Sequence, residues 1–209
     1  CFADAVRKSG GTEREPIMAA PNLERIAASA AGKSQSRDNA RDNARDRAGD
    51  LAHGGENRSY DIRIGRDGTW YYMGSPIARK PLVKLFSTVL KRVEDGSFWL
   101  ITPFERGTIE VDDAPFTAVE LTVKEVDGDQ VLEFRSNLDD TVVAGVDNPI
   151  RVETDPDSGE PAPYVRVRDN LDALITRSVF YELVELAEER KIDGQTVLGV
   201  MSGGIFFSL

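Results

Sequence analysis

The stretch Ile77–Thr102, IARKPLVKLFSTVLKRVEDGSFWLIT, is echoed 98 residues later by Ile175–Val200, ITRSVFYELVELAEERKIDGQTVLGV. The two align without gaps and agree in seven of 26 columns: Ile77 with Ile175, Arg79 with Arg177, Leu85 with Leu183, Arg92 with Arg190, Asp95-Gly96 with Asp193-Gly194, and Leu100 with Leu198. Apolar positions agree as well, Leu82 with Phe180, Phe86 with Val184 and Val89 with Ala187. In the first copy Leu82, Leu85, Phe86, Val89 and Leu90 recur at the spacing of one helix face, and Pro81 suits a first helical turn. Lys84, Ser87, Lys91 and Arg92 take the other face. Asp95-Gly96 then ends the helix, and Ser97–Thr102 reads as a strand. Any amphipathic helix followed by a turn and a strand would look similar, but matched arginines at helix entrance and exit favour a duplicated unit.

Working outward, Tyr60 to Arg66 alternates as a strand, Asp67-Gly68 signals a hairpin turn, and Thr69 to Met73 is rich in β-favouring aromatics. Between the two copies come Gly107 to Asp113, Phe116 to Val126, an Asp127-Gly128-Asp129 turn, Gln130 to Ser136, Thr141 to Val146, Ile150 to Thr154 and Tyr164 to Arg168, a run of strands with hairpin punctuation. Ser202-Gly203-Gly204 turns the chain into a last strand, Ile205 to Leu209. The pattern predicts an α+β fold with antiparallel sheets and the helix-plus-strand motif used twice. The predicted units are a leader over 1–58, an α+β domain over 59–113 and a β-rich domain with one long helix over 114–209.

The leader is of a different character. Ser36–Asp50 repeats RDNA with nearly balanced charge, and Asp38 with Arg41 and Asp42 with Arg45 are pairs at helical spacing worth a few tenths of a kcal/mol each. With no apolar face, this repeat reads as a disordered or transiently helical tail. Met18 opens the segment MAAPNLERIAASAAGKS, and residues 1–17 read as an over-extended gene start, an expectation that native peptides from upstream of Met18 would contradict.

Composition limits the chemistry. Cys1 and His53 are the sole cysteine and histidine, and both lie in the leader. The region from residue 59 onward therefore lacks the groups for disulfides, Cys/His zinc sites and Ser-His-Asp triads. Net charge is −10, and residues 59–209 carry 16 basic against 27 acidic groups. Such an acidic body repels a phosphate backbone, which argues against non-specific nucleic-acid binding. No apolar run approaches the roughly 20 residues of a membrane-spanning helix, and no secretory signal is present, so the expected location is cytoplasmic with no membrane association.

Several residues invite chemistry. Arg79 and Arg177 stand at equivalent helix entrances, where backbone N–H groups attract anions, and Arg151, Arg166 and Arg168 lie nearby in sequence. Two readings fit them: a phosphate or carboxylate pocket between the halves, and ion pairs with surrounding acids. Trp70 and Tyr72 share one strand face and Tyr71 the other, so Trp70 serves either the core or a stacking platform. Asp112-Asp113 and Asp139-Asp140 read as turn and cap residues or as magnesium ligands. Asp155–Glu160 lacks the glycine and distal glutamate of a calcium loop and reads as a hairpin turn. Ser202 has no histidine to activate it. Glu182, Glu185, Glu188 and Glu189 read as a solvated helix face.

The strings DGTWYYMGSPIARKPLVKLF, LITPFE, IEVDDAPF, NPIRV and YVRVRDNLDALITRSVFYELVE together resemble the proteobacterial domain-of-unknown-function family 1285, from Tyr60 to the C-terminus. The resemblance implies two α+β domains with duplicated motifs, a C-terminal half similar to pleckstrin-homology-like barrels, and a cleft between domains for a nucleotide-like ligand in signal transduction. Carried over by motif, the polar candidates are Arg79, Thr102, Glu105, Asp113, Arg151, Arg166, Arg168 and Arg177, with Trp70 as the stacking candidate. Many relatives carry histidine where this chain has Asn148, a neutral amide that cannot titrate. The expected function is a non-catalytic ligand-binding or regulatory protein, without a cofactor, holding a small anionic or nucleotide-like ligand. The alternatives are a protein-interaction module with a protein partner and, third, a carboxylate/magnesium enzyme acting on a phosphate ester.

Overall fold

A computed structural model of the chain describes residues 23–34, 58–154 and 159–209. The RDNA repeat, residues 1–17, Cys1, His53 and most of the Asp155–Glu160 turn lie outside the described residues. Within the segment expected to be a leader, Leu23–Ser34 form helix α1. Leu23, Ile26, Ala27 and Ala30 repeat at one-face spacing in an alanine-rich run, and Ile26 and Ala30 are buried in the core.

The first sheet is built from β1 (Arg58–Ile64), β2 (Trp70–Tyr72), β3 (Ser75–Pro76), β4 (Leu90–Arg92), β5 (Phe98–Ile101) and β6 (Arg106–Val111), in the order β3-β2-β1-β6-β5-β4. Helix α2 (Lys80–Thr88) connects β3 to β4. The second sheet holds β7 (Phe116–Val126), β8 (Asp129–Ser136), β9 (Thr141–Val143), β10 (Ile150–Thr154), β11 (Pro161–Arg168) and β12 (Leu171–Ile175), in the order β10-β11-β12-β7-β8-β9. It curls into a half-barrel. Helix α3 (Arg177–Glu185) leads to a small antiparallel sheet of β13 (Glu188–Ile192), β14 (Gln195–Ser202) and β15 (Ile205–Ser208). This small sheet lies across the half-barrel, β14 against β8 and β15 against β10. The fold is mostly β with three short helices.

Two expectations need correction. The sheets are mixed rather than antiparallel, since β1 runs parallel to β6 and β12 parallel to β7. Strand β12 is absent from the sequence reading because Asp172 interrupts LDALI. It is nevertheless a central strand, with Leu171, Asp172, Ala173 and Ile175 all buried. The helices are also shorter than their periodicity. Val89 and Leu90 are buried as predicted, but Val89 is the C-cap of α2 and Leu90 opens β4, where the Val89 carbonyl accepts from Ile101 N–H at 2.9 Å. Ser87 is buried, and Lys91 and Arg92 lie on β4, not on a helix face. Likewise Ala187 follows the end of α3, while Glu188 and Glu189 lie on β13.

Both echoed segments fold as a helix followed by a hairpin, yet their Asp-Gly pairs make different turns. Asp193 (φ 51°) and Gly194 (φ 82°) form a two-residue turn joining Ile192 to Gln195. Asp95-Gly96 sits inside a longer loop, where only Gly96 is left-handed and Asp95 accepts from Ser97 N–H at 2.8 Å. Register therefore slips by one: Leu90 faces Leu100, whereas Glu189 faces Leu198.

Buried apolar residues from both halves form one contiguous cluster, with Trp70, Phe86 and Leu100 from the first and Phe116, Phe134 and Leu183 from the second. Gly107 on β6 permits one close approach within it. A Cβ at that position would stand 2.6, 2.8 and 2.8 Å from ring atoms Cε2, Cδ2 and Cζ of buried Tyr60. Gly107→Ala is expected to lower unfolding stability by about 1–3 kcal/mol through overpacking, measurable by urea denaturation.

Candidate functional site

The second half meets the first along a polar seam. The guanidinium of Arg168 donates to the Ser87 carbonyl at 2.6 Å, lies over the Phe116 ring at 5.0 Å and pairs with Asp140 at 3.5 Å. The Asn170 amide donates to the Arg92 carbonyl at 2.8 Å, and Lys91 pairs with Asp169 at 2.5 Å. On the other side of the seam, Lys80 and Lys84 both hold Asp139 at 2.7 Å. The Lys80 and Lys84 hydrogen bonds keep its carboxyl near a pKa of about 2.

Next to this seam is a cleft of about 350 Å³ lined by both halves, with Arg92 and Phe98 from the first and Asp113, Arg151, Tyr164 and Arg166 among its walls. Asp172 forms its floor. This buried carboxylate accepts from Arg151 at 2.9 Å and from Arg166 Nε at 2.5 Å. Cross-strand register explains the arrangement: Arg166 pairs with Asp172 across β11 and β12, and Arg151 pairs with Tyr164 across β10 and β11. The Arg151 guanidinium also covers the Tyr164 ring at 4.4 Å and pairs with Glu153. The Tyr164 hydroxyl donates to Asp113 at 2.7 Å, and Asp113 in turn pairs with Arg66 at 3.2 Å. Burial, followed by this bond to Asp113, pushes the phenol up to about 12, so it stays a proton donor.

Arg92 differs from its neighbours. It stacks over Phe98 at 5.4 Å and reaches the Gly96 carbonyl at 3.4 Å, and it has no carboxylate partner among the described residues. Its repeat-equivalent Arg190 stacks likewise on Phe206, at 5.1 Å, but is paired with Glu188 at 2.6 Å.

Of the residues singled out in sequence, the cleft gathers Asp113, Arg151 and Arg166, with Arg168 beside it on the seam. Arg177 lies in another hollow with Arg66, where it pairs with Glu160 at 2.8 Å. Arg79 is the exposed N-cap of α2, with no side-chain partner among the described residues, and lines none of these cavities. Equivalent places in the repeat thus do not bring Arg79 and Arg177 into one pocket. Glu105 lines a third cavity, beneath α1, and buried Thr102 accepts at 2.6 Å from Ser29 of that lining. Trp70 is 2% exposed and stacked with Phe86 at 6.3 Å, which removes it as a platform for a base.

The remaining polar candidates are tied into the structure. Asp112 pairs with Arg63 at 2.5 Å, and the described residues contain no group of three acidic, Cys or His side chains placed to hold a metal ion. Buried Ser202 accepts from Leu132 N–H at 3.0 Å and donates to the Ala144 carbonyl at 2.8 Å, which fastens β14 to the half-barrel. Asn148 donates to the carbonyls of Arg166 and Val167 at 3.0 and 3.1 Å, bracing the irregular end of β11 behind the cleft. Sequence reasoning overlooked Arg92, Phe98, Tyr164 and Asp172 as site residues. A usable signal was the near match of Arg166 with Asp172 across the Asp169-Asn170 turn, which places opposite charges face to face on a hairpin.

The comparisons agree with this architecture. A family model described as "Domain of unknown function (DUF1285), N-terminal domain" matches residues 53–114, and one described as "Protein of unknown function (DUF1285), C-terminal domain" matches residues 115–209. The chain belongs to the DUF1285 family. It is 51% identical to a DUF1285 family protein from Silicibacter pomeroyi with a crystal structure, over 73% of this chain and 81% of that one, with a TM-score of 0.67. A DUF1285 family protein from Shewanella baltica matches at 21% identity over 60% of this chain and 91% of that one, with a TM-score of 0.47. No curated protein matches. Among the described residues no helix is long and apolar enough to cross a membrane.

The two classes of arginine predict opposite mutational behaviour. Asp172→Ala leaves two half-buried guanidinium groups without their shared acceptor and is expected to cost about 1.5–3 kcal/mol of stability. Arg79→Ala is expected to change stability by less than about 0.5 kcal/mol in the same denaturant titration.

Proposed function

We propose that this DUF1285 protein is a non-catalytic binding protein that holds a small anionic, nucleotide-like ligand in the cleft between its halves. The observation that carries the reading is Arg92: an arginine without a carboxylate partner among the described residues, backed by an aromatic ring, facing a cleft whose floor is already ordered by the Arg151–Asp172–Arg166 clamp. An anion contacting Arg92 gains a charge-assisted hydrogen bond without displacing an existing pair. Phe98 adds apolar surface to the cleft wall for a base or sugar. Arg151 and Arg166 are positioning residues in this scheme, since Asp172 already neutralises them.

The reading extends to a regulatory role in signal transduction, in which ligand occupancy at the seam alters how the two halves meet. It also takes the two helix–hairpin units as copies of one ancestral piece and the second half as pleckstrin-homology-like. The helix followed by a hairpin in both echoed segments supports the first, and the curled sheet with its adjoining helix supports the second. One observation favours a second reading, a protein-docking edge: β13 is an edge strand whose residues are all exposed. Its charges Glu188, Glu189, Arg190 and Lys191 restrict it to a charge-matched partner.

Calorimetric titration with AMP, ADP, GMP and inorganic phosphate tests the cleft. Binding of at least one nucleotide is expected, weakened about tenfold by Arg92→Ala, the loss of one charge-assisted contact, and unaffected by Arg79→Ala or Arg177→Ala. A silent wild-type protein, or binding indifferent to Arg92→Ala, would refute the proposal.

A further inference from the structure

A second cavity, of about 530 Å³, lies under α1 and away from the cleft. It is lined by Arg25, Ala28 and Ser29 of α1, Arg58 of β1, and Phe104, Glu105 and Arg106 of the β5–β6 turn. Three arginines face one carboxylate there, so the lining is net cationic in a strongly acidic protein. Both family models begin at residue 53 or later, so the α1 wall lies outside them.

Its polar groups are incompletely satisfied. Arg25 at 3.0 Å and Arg58 at 3.8 Å both address Oε2 of Glu105. Among the described residues the other oxygen, Oε1, is buried with no partner, and the same holds for Nε of Arg106 in the lining and for the hydroxyl of Tyr60, which adjoins the lining without being part of it. Tyr60 is 2% exposed and shares the β1 face of Arg58. Burial and then the Glu105 charge raise its pKa, which keeps the hydroxyl protonated beside that carboxylate. Glu105 and Arg106 thus bring an unmatched acceptor and an unmatched donor to the lining, with a second unmatched donor on adjoining Tyr60. A buried polar atom without a partner costs about 1–3 kcal/mol, so a structure that keeps three at or beside one cavity calls for a complementary group. Phe104, 82% exposed, stands at the rim as an uncommitted aromatic face.

We infer that the cavity under α1 is a second binding site, taking a small anion that bears a neighbouring hydroxyl, such as a sugar phosphate or a hydroxy acid. The anionic group lies between Arg25 and Arg58, whose guanidinium groups together carry more donors than Glu105 Oε2 can accept. The hydroxyl bridges the orphaned pair, donating to Glu105 Oε1 and accepting from Tyr60. The carbon skeleton rests against Phe104. Because Arg25 and Ser29 come from α1, binding fastens this helix to the first sheet, and the ligand raises the stability of the full chain.

Thermal unfolding and calorimetry of the full chain with ribose 5-phosphate, malate, inorganic phosphate and ribose test the assignment. Ribose 5-phosphate or malate is expected to bind, the former marking a phosphate site and the latter a carboxylate site, with inorganic phosphate and ribose at least tenfold weaker. Tyr60→Phe removes an unpartnered hydroxyl, so the unliganded protein keeps its melting temperature while affinity falls at least tenfold. Arg25→Ala gives the same loss of affinity, and because it also removes the 3.0 Å pair with Glu105, Tyr60→Phe is the variant that separates binding from stability. Arg92→Ala leaves this binding intact. The inference is overturned if neither anion binds, if Tyr60→Phe and Arg25→Ala bind as the parent does, if Arg92→Ala abolishes the response, or if a crystal structure with the anion shows ordered water alone bridging Tyr60 and Glu105.

Discussion

The structure depends on one large apolar core that ignores the division of the chain into halves, beside which Ala114, Ala162 and Tyr164 form a small cluster of their own. Phe86 on α2, fully buried, is stacked with Trp70, and the same contiguous cluster takes in Phe116 and Phe134 from the half-barrel. Burying each such ring contributes about 1.5–3 kcal/mol. The ion pairs along the seam are half-exposed and contribute about 0–1 kcal/mol each. The core therefore fixes how the halves sit, and the polar seam settles which residues meet where they touch. The cleft lies where the halves meet around that core, with Arg92 and Phe98 on one wall and Arg151, Tyr164 and Arg166 on the other.

Within that frame Asp172 has the most exacting role. It is a buried carboxylate on a central strand, held by Arg166 from neighbouring β11 and by Arg151 from β10 one strand further out, and those arginines are ordered with no ligand required. In the proposed anion site the clamp is pre-organised by the protein's own carboxylate, which leaves Arg92 as a cleft cation without a carboxylate partner among the described residues. The same principle, in unfinished form, marks the cavity under α1, where Glu105 satisfies two arginines with one oxygen and leaves the other buried.

The sequence was most legible where local chemistry decides structure. Phe116–Val126 and Ile150–Thr154 are read at both ends, and the Asp127-Gly128 turn is where its residues place it. The family was legible too, because its strings are long. Non-local choices were not. Nothing within β1 or β12 says that each has a parallel neighbour, since that depends on the path of distant chain. Asp172 concealed β12 because its partner charges come from other strands. Helix α1 went unread beneath the more conspicuous RDNA repeat, although Leu23, Ile26, Ala27 and Ala30 carry a helical stripe. Arg79 and Arg177 show the limit of repeat logic: one local position, one sequence motif, and two unrelated surroundings.

The central claim, that both halves are one body around one core, is tested most directly by equilibrium unfolding followed with two probes. Trp70 and Trp99 both lie in the first half, so tryptophan fluorescence reports that half, while far-UV circular dichroism reports the sheets of both. The shared core predicts coincident transitions with one midpoint. Fluorescence and dichroism curves separated along the denaturant axis, with the first half melting while half-barrel signal persists, would contradict it.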